Sequence, residues 1–167
     1  MRRTRGENQL DDKYTRRVVK HPGKVMVWMS CSHRGPGKLS ILQPRETMNA
    51  ETFQATLERM KPLPGEYLLM DRAPAHTAKS TLRYLKQHRI KAIYIPPNSP
   101  DCNPIENAFS MMKHRLLDED TSNTQKLKTV LPKCWRKIPS TYFSKICLSM
   151  KRRLQEVVRA GGGSTHY

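Results

Sequence analysis

Negative charge is scarce in this chain. Against 31 Lys and Arg it sets 14 Asp and Glu, a formal net charge of +17 over 167 residues and a pI near 10.1. An imbalance of this size exceeds what solubility requires and favours polyanions through counterion release, so nucleic acid is the expected partner. Long apolar runs are absent too. None approaches the roughly 18 residues of a membrane span, and the N-terminus has no apolar signal core, so neither membrane insertion nor secretion is expected. Cysteine is confined to Cys31, Cys102, Cys134 and Cys147, with no CxxC pair and no matching histidine pattern. That spacing speaks against a zinc site and a disulfide framework and suggests free thiols in a reducing, intracellular compartment. No internal repeat is present.

What remains is enough for one domain, with 37% apolar residues to fill its core. Met1 to Lys20 holds Arg2, Arg3, Arg5, Arg16, Arg17 and Lys20 among few apolar residues, and reads as a basic arm over 1–20 ahead of a domain over 21–167. Val25 to Ser32 suits a central strand anchored by Trp28. After the turn His33 to Gly37, Lys38 to Leu42 returns antiparallel to it. Asn49 caps a helix over Ala50 to Met60, whose Phe53, Leu57 and Met60 recur at helical spacing. Near the C-terminus Leu127, Leu131, Cys134 and Ile138 mark one helix, which Pro132 is expected to kink or break. Phe143, Ile146, Met150, Leu154 and Val157 mark a longer last one. Its polar side holds Lys145, Lys151, Arg152 and Arg153, a stripe that suits a phosphate backbone as well as plain solvation.

Two acids in the middle carry the chemistry. Tyr67 to Met70 is a short apolar run between Pro64-Gly65 and Asp71-Arg72-Ala73-Pro74, which predicts a strand buried on both faces with Asp71 at its end. Thr77 is placed to cap a helix over Ala78 to Arg89, with Ala78, Leu82 and Leu85 facing inward. Ala92 to Ile95 follows as a second, parallel strand. A proline-rich loop then leads into a helix with Ile105, Ala108, Met112 and Leu116 on one face and Glu106 in its first turn. Chemistry in open α/β sheets gathers at the carboxyl ends of strands, where Asp71 and the returning loop meet. Two carboxylates sharing a site need cations between them, and hard oxygen ligands suit Mg2+ or Mn2+. Each acid also has a plain structural reading. Asp71 can fold the turn that follows it, and Glu106, three residues after the cap Asn103, stands at the capping-box position. His76 is poised for proton transfer near neutral pH, yet such a residue more often caps or packs.

The residues themselves carry a resemblance. Asp71-Arg72-Ala73-Pro74-Ala75-His76 and the run Pro96-Pro97-Asn98-Ser99-Pro100-Asp101-Cys102-Asn103-Pro104-Ile105-Glu106-Asn107 resemble the blocks around the second aspartate and the glutamate of the Tc/mariner-type transposases. The interval between the two acids is the one typical of a large branch of that family. Val19-Lys20-His21, Val25 to Trp28 and the terminal Gly161 to Tyr167 resemble other parts of it, so the likeness covers almost the whole chain.

The resemblance implies an α/β, ribonuclease H-like mixed sheet flanked by helices, with a DDE catalytic domain that cuts and joins DNA strands. It implies Asp71 and Glu106 as catalytic and metal ligands for Mg2+ or Mn2+, and Arg72, His76, Asn103 and Asn107 as their neighbours. DNA as partner, a homodimer and a nuclear location follow from the same likeness. The family's first aspartate, on the first strand, has no counterpart here. Asp11 and Asp12 are the acids nearest to its place, in a polar stretch without strand pattern. Arg72 stands where asparagine is common and would compete for the Asp71 carboxylate, Cys102 replaces a leucine, and Met29-Ser30 replaces a Gly-Cys pair. The expected consequence is DNA binding with strand cleavage lost. A non-catalytic nucleic-acid-binding derivative and a truncated relic without selected function stay open beside an active transferase.

Overall fold

The computed structural model describes residues 24–60, 66–96, 99–163 and 165. The basic arm, with Asp11 and Asp12, lies outside the described residues.

The chain after Lys24 begins with a hairpin. Strand β1 (Val27–Ser32) pairs antiparallel with β2 (Gly35–Ile41) around the two-residue turn His33-Arg34, and the register slips between Met29 and Cys31. Gly35, at φ +139°, takes the conformation that lets the chain reverse there. Successive β1 side chains point to opposite faces, and this divides the molecule. Trp28 lies toward Phe53 on one side, with ring centroids 6.1 Å apart, while Met29 enters a cluster on the other.

On the Trp28 side, helix α1 (Ala50–Met60) starts where the Asn49 carboxamide accepts from Thr52 N at 2.9 Å, and it buries Phe53 and Leu57. Strand β3 (Tyr67–Met70) follows. The short α2 (Pro74–Thr77) and α3 (Lys79–Gln87) then carry the chain over to β4 (Lys91–Tyr94), which pairs parallel to β3 in the register Tyr67 to Lys91. On the Met29 side, α4 (Pro104–Leu116), α5 (Thr124–Arg136) and α6 (Ser140–Leu148) enclose Ala108, Met112, Leu131, Trp135, Ile138 and Phe143. Helix α7 (Met150–Arg159) closes the described fold. The antiparallel pair lies between α1 on one side and α4, α5 and α6 on the other, and the parallel pair packs on the side of α1, α2 and α3, the mixed α/β arrangement expected from the sequence. Among the described residues each pair is hydrogen-bonded on one side only. None of the described helices is long and apolar enough to cross a membrane.

Several local expectations are corrected. β1 is paired only with β2 among the described residues and is no central strand there. β3 is not buried on both faces, since Tyr67 is exposed. Thr77 does not cap α3. It ends α2, its hydroxyl donates to Ala73 O, and the α3 cap is Ala78. That break shifts the helical phase. Thr81 turns inward, fully buried with its hydroxyl on Ala75 O at 2.7 Å, and Leu82 faces solvent. Pro132 does not break α5, which runs on to Arg136. An interior proline costs about 3 kcal/mol, and burial of Leu131, Cys134 and Trp135 on the same helix offsets it. The expected long last helix is two, because the Ser149 hydroxyl between them donates back to Ile146 O at 2.6 Å.

Gly37 is required where β2 passes close to Ser30 of β1, at the register slip of the hairpin. A Cβ there would meet Ser30 Oγ at 2.1 Å and Ser30 O at 2.8 Å. The Gly37→Ala chain should therefore be destabilised by about 1–3 kcal/mol, the usual penalty for forcing an extra carbon into packed structure. Denaturant titration reads this directly, and an unchanged midpoint would show that the hairpin can shift.

Candidate active-site cleft

Asp71 is the first residue beyond β3, so its direction is set where the ladder ends. Its Oδ1 accepts from Ala73 N at 3.0 Å, the local turn that the sequence allowed for. The same oxygen lies 2.6 Å from His76 Nδ1. The Asp71 side chain is 55% exposed and that of His76 13%, so the carboxylate stands in the open with the imidazole tucked behind it. Phe53 packs against that imidazole with centroids 4.3 Å apart, and Tyr94 Oη donates to His76 O at 3.2 Å. Arg72 turns away. Its guanidinium lies over the Tyr94 ring, 5.9 Å from the centroid, and it is not part of the cleft wall.

Glu106 reaches the same place from the other half of the chain. Asn103 caps α4, its side chain accepting from Ile105 N at 3.4 Å, and Pro104 takes the first helical position with Glu106 two residues on. The amide that a capping-box glutamate would bind, Asn103 N, already donates to Pro100 O at 3.0 Å. That weakens the capping reading and leaves the exposed Glu106 carboxylate to the cleft. The loop behind it is clamped. Cys102 and Asp101 are buried in a 3-10 turn (Pro100–Cys102), and Asp101 accepts from Cys102 N at Oδ1 and from Thr165 Oγ1 at Oδ2. Arg153 Nη1 donates to Asp101 O at 3.0 Å.

These residues border one cleft of about 600 Å3. β1 and β3 form two of its walls, Asp71, His76, Asn103 and Glu106 lie along it, and Cys31 and Cys147 face it. Asn107 stands behind the wall, with its backbone carbonyl accepting from Tyr142 Oη at 3.1 Å. Glu66 also borders the cleft, paired with Arg34 at 3.4 Å. It precedes β3, and at about 3.3 Å per residue the length of that strand separates it from Asp71. Among the described residues no group of three His, Cys, Asp or Glu side chains is close enough to share a metal ion. Asp71 and Glu106 thus offer hard oxygen donors of the right chemistry, two in number.

Other expectations fall out unevenly. Lys151 and Arg152 are exposed on α7, whereas Arg153, expected beside them, is 3% exposed and bonded to Asp101 and Ser149. It holds the loop and cannot also face a phosphate. Arg2, Arg3, Arg5, Arg16, Arg17 and Lys20 lie outside the described residues. Sequence reading missed a second groove where Lys38, Arg59 and Arg136 converge from three elements. It also missed the meeting of Cys31 and Cys147, free thiols that share a hydrogen bond. That bond and burial push the Cys31 thiol up, and the same bond draws Cys147 down. Neither signal is local in the chain.

Comparison with known proteins agrees with the geometry. The family model described as DDE superfamily endonuclease matches residues 2–128. The Transposable element Tcb1 transposase of Caenorhabditis briggsae is 31% identical over 158 residues, which cover 90% of this chain and 57% of that protein. The Transposable element Tc1 transposase of Caenorhabditis elegans is 30% identical over 166 residues, covering 96% and 61%. The chain therefore spans less than two thirds of the length of these relatives. Among solved structures, the Mos1 Strand Transfer Complex superposes with a TM-score of 0.82 at 20% identity, covering 99% of this chain and 51% of that one. The Mos1 transposase catalytic domain with Raltegravir and Mg superposes at 0.75 with 21% identity, covering 85% and 77%. With its ribonuclease H-like fold, the chain belongs to the DDE superfamily endonuclease family and, within it, to the Tc/mariner type of transposase.

Proposed function

We propose that this chain is a DNA-binding transposase domain whose Asp71 and Glu106 contribute two ligands for Mg2+ or Mn2+. The observation that carries the reading is their convergence. A strand end and a helix start, separated in sequence by α2, α3 and β4, bring two exposed carboxylates to one cleft. A divalent ion bound there would supply charge neutralisation and activation of water or a 3′-hydroxyl at a phosphodiester. The chain's own part is to hold Asp71 at the end of a paired strand, to hold Glu106 on a clamped helix start, and to bind the DNA backbone. Lys151 and Arg152, the cluster Lys38, Arg59 and Arg136, and the arm over 1–20 ahead of the domain over 21–167 supply the positive charge for that. Relatives solved as a strand transfer complex and as paired end complexes support DNA as partner and a dimer as the working form. A nuclear location belongs to the same proposal, because the DNA that such a domain would act on lies there.

Cleavage by this chain alone is a separate matter. Two carboxylates hold a metal pair less well than three, and the missing three-ligand group among the described residues favours binding without strand cleavage. The experiment is Mg2+- or Mn2+-dependent nicking of supercoiled DNA by the full chain beside Asp71→Ala and Glu106→Ala. We expect plasmid retention in all three and nicking no faster than the metal-only control in any. Nicking that disappears in both variants would overturn the loss of cleavage and direct the search for a third ligand to Asp11 or Asp12. Failure to retain plasmid would overturn the binding reading itself.

A further inference from the structure

We infer that His76 is a positioning residue for Asp71: its Nδ1–H holds Oδ1 and thereby presents Oδ2 to a divalent cation in the cleft. This deepens the metal reading above and rests on it.

The proton's place follows from what surrounds Nδ1. It lies 2.6 Å from Asp71 Oδ1 and 3.3 Å from Asp71 O. A carboxylate oxygen and a carbonyl oxygen are both acceptors, so the nitrogen between them must be the donor. The ring cannot easily turn out of this contact. Phe53, fully buried, packs on it from α1, and the Tyr94 hydroxyl holds the His76 carbonyl. The turn amide of Ala73 adds a second donor to the same Oδ1. Two donors on one carboxylate oxygen, from a backbone amide and a clamped ring, fix the rotation of the carboxylate about its bond to Cβ. Oδ2 is left as the oxygen with open coordination. A ligand oriented in advance binds metal without losing rotational freedom on binding, and removing such an orienting hydrogen bond typically costs 10- to 100-fold in metal affinity.

A purely structural histidine would serve the packing alone, and the two roles separate by substitution. His76→Leu keeps an apolar body against Phe53 and removes the donor. His76→Asn places a side-chain N–H close to where Nδ1 stood. The full chain and both variants would be titrated with Mn2+, the free ion being counted by its electron paramagnetic resonance signal, with Asp71→Ala as reference. We expect His76→Leu to weaken Mn2+ binding about 10- to 100-fold, His76→Asn to remain within about threefold of the parent, and both to melt cooperatively. Mn2+ binding by His76→Leu equal to the parent's would overturn the inference, as would an Asn variant no better than the Leu variant. The underlying reading fails differently: Asp71→Ala binding Mn2+ as the parent does would remove Asp71 as a ligand whatever His76 does. A second measurement does not depend on affinity. The imidazole Nδ1–H should give a downfield proton resonance that is lost in Asp71→Ala and in His76→Asn and persists when Mg2+ is added. Its persistence in Asp71→Ala would show that the carboxylate is not its acceptor.

Discussion

Raising salt from 50 to 200 mM should weaken binding of the full chain to duplex DNA by about a thousandfold. The expectation rests on how many exposed cations the fold presents, and Lys38, Arg59, Lys133, Arg136, Lys151 and Arg152 are six among the described residues alone. Each phosphate neutralised releases close to one counterion, so about six contacts give a steep slope of affinity against salt on logarithmic axes. Fluorescence anisotropy with a labelled duplex measures it. Replacing Lys151 or Arg152 by alanine should lower that slope by about one and weaken all sequences alike. Arg153→Ala should leave the slope unchanged while lowering the melting temperature, because its guanidinium is spent on Asp101 and Ser149. A parent slope of only one or two ions would mean that the net charge of +17 is mainly a solvation device.

The second large effect is on stability. Trp135 is 2% exposed, meets Phe143 edge-on at 5.1 Å, and donates from Nε1 to Gly37 O at 2.8 Å. It therefore ties α5 to the hairpin through both packing and a hydrogen bond. Trp135→Ala should cost about 3–5 kcal/mol, a large part of the roughly 5–15 kcal/mol that keeps a domain folded. Trp135→Phe should recover part of this, since it fills most of the volume without the donor. Urea titrations of the three chains decide the matter. A Trp135→Ala loss below about 1 kcal/mol would place the weight of the core elsewhere, on the α1 cluster around Phe53 and Leu57.

Much of this was legible in the chain because the signals were local. Asn49 and Asn103 stand next to the helices they cap, Tyr67 to Met70 ends at Asp71, and the spacing of Ala108 and Met112 repeats at helical period. That Asp71 and Glu106 border one cleft could be anticipated because a parallel strand pair returns the chain to the same sheet end. What was not legible depended on the far side of a contact. Leu82 and Thr81 are neighbours, and which of them faced inward was decided by where α2 stopped. Arg153 read as one more surface cation because Asp101, its partner, lies on another element. Tyr67 read as buried because its apolar neighbours gave no sign that one face of β3 stays open. Cys31 and Cys147 were correctly read as free thiols, but nothing in their spacing foretold that they would touch.

The clamp on the Glu106 loop has a consequence in time. Asp101 is held by Arg153 and by Thr165, which follow it by 52 and 64 residues. A polypeptide leaving the ribosome therefore displays Asp71, β3 and β4 well before the residues that fasten the loop opposite them have been made. The clamp can close only after Arg153 and Thr165 have been made, so a nascent chain halted before them, or one clipped ahead of them, would carry Asp71 opposite an unfastened Glu106 loop.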